Sequence, residues 1–246
     1  MTRMTPMTSM TQQIRQPNVN GTNGIFNDDF SRRYDAYNSR LAVFGDNLYS
    51  LTGLLLAVLP DDANVLCIGA GTGKEMLNLA EAHPGWHFTG VDPSPDMLRV
   101  CGEKLRQAGI SARCTLINGV IDDVPAGENY HAVICMLVTH FIVEPARQEI
   151  YRQMAARLKQ GGKLVIAEIA ADMAADDFKQ QLLSWTAMHE VASQTTHDPE
   201  EIRAQFNQKL RILPPAETEL LMVKAGFNQP YHFFQALLIH AWIATK

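Results

Sequence analysis

A chain of 246 residues with 46% hydrophobic and 19% charged residues carries apolar material for a full core, in one domain with elaborations rather than two independent units. Its 21 basic and 26 acidic residues leave a net charge of −5 with no dense basic run, which argues against a large nucleic-acid interface, and no apolar stretch reaches the roughly 18 residues a membrane span needs. Cys67, Cys101, Cys114 and Cys135 form no Cys-x-x-Cys pair, so they read as free thiols of a reducing cytoplasm rather than as disulfides or metal ligands.

Residues 1–25 are rich in Met, Thr, Gln and Asn; Pro6 and Pro17 interrupt the amphipathic helix of a transit peptide, and a disordered tail is expected. Residues 26–60 read as an N-terminal helical lid, its second helix running over 41–59 and stopping at Pro60. From there short apolar runs alternate with helical stretches. Strands are predicted over 64–68, 87–91, 114–118, 132–138 and 163–169, and helices over 74–82, 94–107 and 144–159, the last closed by Gly161-Gly162. The strands are continuous apolar runs, as strands covered on both faces must be, and the alternation predicts a doubly wound parallel sheet.

After residue 171 the rhythm breaks. Helical stretches over 172–196, 199–210 and 215–225 precede two strand-like runs, 231–235 and 237–245. Almost nothing joins these runs, and a parallel crossover takes a dozen residues or more, so they must pair as an antiparallel hairpin. The α/β fold expected is a seven-stranded sheet, mostly parallel with an antiparallel final strand, plus the lid and a helical insertion before the last hairpin. One domain over 26–246 results: lid 26–60, core 61–170, insertion 171–212, closing helix and hairpin 213–246.

Directly after the first strand stands Gly69-Ala-Gly-Thr-Gly-Lys-Glu75. A triphosphate loop needs Gly, four residues, then Gly-Lys-Ser/Thr; here Ile68 holds the first position and Glu75 the place of the magnesium-binding hydroxyl. A dinucleotide loop needs Gly-x-Gly-x-x-Gly, and Lys74 stands where its third glycine belongs. Asp92 closes the second strand, where a carboxylate can accept from both hydroxyls of an adenosine ribose or simply favour a helix N-terminus. Met97 and Leu98 follow with apolar surface suited to an adenine face.

With these residues the chain resembles the S-adenosylmethionine-dependent methyltransferases of the Rossmann-like class. The matching stretches are Val65-Leu-Cys-Ile-Gly-Ala-Gly-Thr-Gly73, Gly90-Val-Asp-Pro-Ser-Pro-Asp-Met97, Asn118-Gly119, Ala132-Val-Ile-Cys-Met-Leu-Val-Thr-His140 and Leu158-Lys-Gln-Gly-Gly-Lys-Leu-Val165. The resemblance implies S-adenosylmethionine along the C-terminal strand edge. Gly69, Ala70 and Gly71 would lie under the methionine part, Asp92 and Pro93 at the ribose, and Met97 along adenine. Gly119, Val120, Ile121, Cys135 and Met136 would complete the pocket, with Tyr34 reaching in from the lid. Two positions depart from the family. Cys67 stands where an acid usually helps orient the cofactor's ammonium, and Val120 where an acid often accepts from the adenine amino group; Asp122, Asp123 or backbone carbonyls could serve instead of the latter.

Methyl transfer from a sulfonium needs alignment more than a fixed set of catalytic residues. His140 reads as a general base or as a cap closing the fourth strand. Glu168 could polarise a substrate proton or hydrogen-bond a loop, and His189 could serve as a base or pack. Tyr37 and Trp185 are pocket or core aromatics, and Arg203, Lys209 and Arg211 could meet an anionic acceptor or face solvent. The leading function is methylation of a small-molecule acceptor, with no large nucleic-acid interface, no membrane and room for a homodimer. The C-terminal half also resembles the carboxy-S-adenosylmethionine synthases that serve tRNA wobble-uridine modification, through Glu144-Pro145 and Lys224-Ala-Gly-Phe227. A non-catalytic adenosyl-binding relative is the third alternative.

Overall fold

The computed structural model describes residues 39–246. Tyr34, Tyr37 and the lid before residue 39 lie outside the described residues. Helix α1 (Ala42–Leu56) leads into β1 (Asn64–Ile68), α2 (Lys74–Ala82), β2 (His87–Asp92), α3 (Pro95–Gln107), β3 (Cys114–Asn118) and β4 (Tyr130–Met136). Then follow α4 (Glu144–Arg157), β5 (Leu158–Ile169), α5 (Phe178–Ser193), α6 (Pro199–Gln208), α7 (Pro215–Lys224), β6 (Asn228–Ala236) and β7 (Ile239–Thr245).

The seven strands form one sheet in the order β3-β2-β1-β4-β5-β7-β6. Strands β1 to β5 pair in parallel, and β7 runs antiparallel to both β5 and β6. The expected seven-stranded, mostly parallel sheet is therefore the observed one. Alternate residues of β1 explain why its strand is apolar throughout. Leu66 and Ile68 belong to a core with β4, β5, Tyr151 and Met154 of α4, and Trp242. Val65 and Cys67 face the other way, into a core with Met76, Leu79, Cys101 and Leu105 of α2 and α3. A third cluster joins Phe178, Leu182, Trp185, Ile202 and Phe206 of the inserted helices to Ala171 and Leu238.

Several elements differ in extent from the sequence prediction: α1 stops at Leu56, α5 covers only Phe178–Ser193 and β6 spans Asn228–Ala236, and two strand boundaries differ for a clear physical reason. Strand β5 does not begin after Gly161-Gly162 but runs through it, because the chain end supplies partners: Gly161 N–H donates to the Lys246 carbonyl at 3.1 Å, and Lys246 N–H to that of Gly162 at 3.0 Å. At Gly161 φ is +76°, and a Cβ at Gly162 would lie 2.8 Å from the Lys159 carbonyl oxygen, so the pair is a tight irregularity inside a strand rather than a stop. Strand β4 ends at Met136, not Val138, because Leu137 takes a left-handed φ of 59° and turns the chain out of the sheet.

The order reverses between β1, which continues to β2, and β4, which continues to β5. In open α/β sheets the carboxyl ends at such a switch point border the ligand crevice. The glycine loop leaves β1 there, and the turn Thr139–Phe141 follows β4 at the same edge.

Candidate active site

The glycine loop is held to the neighbouring strand first by backbone hydrogen bonds. Gly69 N–H and Ala70 N–H both donate to the Val91 carbonyl, at 2.8 and 3.1 Å, and Gly73 N–H closes the turn on Ala70 at 2.8 Å. Its three glycines all have positive φ, 66°, 51° and 80°. A Cβ on Gly69 would meet Val138 Cγ2 at 2.4 Å, whereas one on Gly71 would find nothing nearer than the Gly69 carbonyl at 3.9 Å. The loop is thus packed shut at Gly69 and open above Gly71, which is room for a ligand against bare backbone.

Asp92 faces this loop. Its Oδ2 accepts from Gly71 N–H at 2.9 Å and its Oδ1 from Ser94 N–H at 2.8 Å. Burial pushes the carboxyl up, and these two amides pull it back. Each oxygen keeps a further acceptor site, so the fixed carboxylate fits a vicinal diol. Ser94 in turn caps α3 by accepting from Met97 N–H at 3.3 Å, which fixes the chain at Asp92 and sets Met97, 3% exposed, at the start of the helix.

The other residues expected around the cofactor divide by exposure. Pro93 is exposed, while Gly119, Val120 and Met136 are half-buried at the edge. Ala70, Ile121 and Cys135 are buried; Cys135 belongs to the same core as Ile68 and Ile166, so its thiol is sealed in the protein and burial pushes it far up. Neither carboxylate near Val120 is idle: Asp123 Oδ2 accepts from Val120 N–H at 2.8 Å, and Asp122 accepts from Gln153.

On the other side of the switch point, Glu168 of β5 holds the turn after β4. Its Oε1 accepts from Thr139 N–H at 3.1 Å and from the Thr139 hydroxyl at 2.7 Å, and its Oε2 from His140 N–H at 2.8 Å. The same Oε2 lies 2.8 Å from His140 Nδ1, both side chains being 2% exposed. Burial alone would raise this carboxyl, but the hydrogen bond and charge of His140, with Arg147 and Thr139, hold it below the usual carboxylate range. An ionised carboxylate only accepts, so Nδ1 carries a proton, and when the ring is neutral Nε2 is its basic nitrogen. Sequence reasoning named His140 and Glu168 separately, 28 positions apart; the structure joins them.

His189 packs edge-to-face on Trp185, ring centres 5.0 Å apart, with Trp185 in the core of the insertion. Burial, then His197, push its imidazole down. Arg203 pairs with Glu200 at 3.9 Å, and Arg211 contributes its backbone N–H to the His140 carbonyl at 2.6 Å. Sequence reasoning missed three participants. Val138 seals Gly69. Arg147 is 2% exposed and ties the chain around the turn by donating to the carbonyls of Ile142 and Arg211. Glu75, 8% exposed, lies buried in the first turn of α2, and its one visible signal was its misfit in a triphosphate loop.

A family described as "Methyltransferase domain" matches residues 65–162, from β1 to the glycine pair in β5. Over that stretch the chain carries a methyltransferase domain. It is of the Rossmann-like class whose cofactor is S-adenosylmethionine, and the bare loop and fixed carboxylate fit that molecule's adenosyl end. Among curated proteins the methyltransferase is 25% identical over 230 residues to a carboxy-S-adenosyl-L-methionine synthase of Dichelobacter nodosus (strain VCS1703A), covering 92% of this chain and 90% of that one. It is 24% identical over 209 residues to the ubiquinone/menaquinone biosynthesis C-methyltransferase UbiE of Pseudomonas paraeruginosa (strain DSM 24068 / PA7), covering 81% and 79%. Among solved structures it shares the fold of magnesium protoporphyrin IX methyltransferase (ChlM) from Synechocystis PCC 6803, with a TM-score of 0.67, 13% identity, and coverage of 93% of this chain and all of the other. Several other matching structures are longer, and the chain spans 58% of one and 54% of another. No helix among the described residues is long and apolar enough to cross a membrane.

Proposed function

We propose that this enzyme methylates a small-molecule acceptor in the cytoplasm, with Asp92 anchoring the cofactor and His140 as the base for the acceptor. The observation that carries the reading is the Asp92 carboxylate, buried and locked by Gly71 and Ser94 amides beside the open face of the glycine loop. When bound, S-adenosylmethionine supplies a methyl carbon already activated by its sulfonium. What the protein adds is alignment and exclusion of water. Asp92 takes the ribose hydroxyls, the backbone from Gly69 to Gly71 lies close beneath the amino-acid end, and Met97 flanks the base. Pro93, Gly119, Val120 and Met136 rim the same edge, and Ala70, Ile121 and Cys135 support it from within. His140 Nε2 removes the acceptor's proton, while Glu168 fixes the imidazole's tautomer and direction. His189 and Trp185 belong to the insertion that shapes the acceptor side. Free thiols and the absence of a dense basic run support a reducing compartment and a small acceptor.

The test is incubation with methyl-labelled cofactor and a metabolite extract. Label is expected in a low-mass compound, and His140→Ala is expected to slow its appearance about 10²- to 10⁴-fold without changing cofactor affinity. Label in RNA or protein, or an unchanged rate in the variant, contradicts the reading.

A second reading has specific support in the 25% identity over 92% of the chain with the Dichelobacter nodosus enzyme. In it, the same site remodels the cofactor instead of passing on its methyl group. Mass spectrometry of the nucleoside that co-purifies decides between the two, because a carboxylated cofactor is heavier.

A further inference from the structure

Glu75 is a buried carboxyl that takes no part in the ribose or acceptor contacts proposed for Asp92 and His140. It stands in the first turn of α2, the helix into which the glycine loop runs, and is 8% exposed. Its own backbone amide supplies a hydrogen bond. The groups within electrostatic reach come from four neighbouring elements: Asp92 at the end of β2, Cys67 of β1, Cys135 of β4, and Cys101 and Lys104 of α3. The three thiols are pushed up by burial and by Glu75 itself, so they stay neutral and offer no counter-charge. Asp92 repels, and among the described residues Lys104 is the cation that favours the carboxylate. Lys74, adjacent in sequence, is turned to Asp46 of α1 at 3.1 Å. Burial with Asp92 alongside pushes the Glu75 carboxyl up to about 8, so the side chain is mostly protonated at neutral pH.

A buried acid among neutral thiols and a second carboxylate is costly as an anion unless a cation joins it. Cys67, 1% exposed, cannot be that anion. We propose that Glu75 is the anionic partner of the cofactor's α-ammonium group, and that it gives up its proton when the cofactor binds. The inference rests on the reading in which Asp92 holds the ribose. With the sugar there, the amino-acid end crosses the glycine loop that leads straight into the Glu75 turn. The proton leaves the Glu75 carboxyl for the solvent, the ammonium keeps its own, and a buried ion pair replaces a buried acid. An acid usual at one position of the strand is thus supplied by the helix facing it.

The experiment is isothermal titration of the full chain at pH 7 in buffers of different ionisation enthalpy. The two probes are S-adenosylhomocysteine and 5′-methylthioadenosine, which keeps the ribose diol but lacks the amino-acid end. The expected result is release of close to one proton more with the first ligand than with the second. In Glu75→Gln, which copies the neutral side chain, that difference should vanish. Affinity for S-adenosylhomocysteine should fall about tenfold or more while 5′-methylthioadenosine binds as before. Equal proton counts for the two ligands in the native chain overturn the inference whether or not the variant folds, and so does a variant that binds both ligands like its parent. If neither ligand binds the native chain, the Asp92 reading falls and this inference falls with it, an outcome distinct from binding without proton release.

Discussion

Two buried carboxyl groups flank the switch point of the sheet, and they are built in opposite ways. Glu168 is saturated, with Thr139 donating twice and His140 twice, and its carboxyl is held below the usual range. Glu75 has Asp92 and neutral thiols around it and is pushed up to about 8. One side of the site has its charge already satisfied and works as scaffold; the other holds a proton in place of a counter-ion. The pair teaches that burial alone does not set a carboxyl's state, and that the count of donors pointed at it does.

Breaking the saturated side should have the largest effect. Glu168→Ala strands the Thr139 and His140 donors in a sealed turn and is expected to cost about 3–5 kcal/mol in denaturant unfolding. Glu168→Gln should cost less while still disturbing the His140 tautomer. Because the Glu168 carboxyl is depressed, its contribution is present above the unfolded value of 4.5 and is lost as pH falls through the lower folded value. The acid-induced loss of stability should therefore set in as pH falls below 4.5, be complete below the folded value, and flatten in Glu168→Gln.

Glu75 has the reverse sign. Raised from 4.5 to about 8, it contributes stability that is fully present below 4.5 and lost as pH rises toward 8. In the ligand-free protein Glu75→Gln should remove that slope and raise stability at pH 8 by about 2–4 kcal/mol. A melting temperature that ignores the substitution at pH 8 would put Glu75 in water instead of the protein interior.

Gly69→Ala sharpens the comparison at the loop. The positive φ and the 2.4 Å approach to Val138 together predict a loss of about 2–3 kcal/mol. Adding Val138→Ala should recover the steric part and leave the backbone part. Smallest of all, Arg203→Ala on the exposed face of the insertion should change stability by less than about 0.5 kcal/mol, since its pairing with Glu200 is a surface one.

The sequence made much of this fold legible, for physical reasons that vary by element. Strand β3 reads to the residue because a short apolar run lies between Gly109 and Gly119, and the sheet order follows from alternating strands and helices. The start of β5 was hidden because its glycines pair with Lys246, a partner 85 positions on from Gly161 that no local pattern reveals. Asp92 announces itself by its place after the glycine loop. Glu75 does not, since an acid in a first helical turn is the ordinary choice for a helix N-terminus. Only its burial beside Asp92 distinguishes it. The joining of His140 to Glu168 is equally nonlocal. The insertion is legible as helices, but its third core cluster, centred on Trp185, carries no motif that names an acceptor.

The central claim is that the Asp92 carboxylate grips the sugar of an adenosyl ligand above the glycine loop. Titration calorimetry of Asp92→Ala with S-adenosylhomocysteine, alongside a melting curve showing that the variant is folded, tests it most directly. Loss of two charge-assisted hydrogen bonds predicts affinity lower by about 100-fold or more. A folded variant that binds as tightly as its parent would contradict the account.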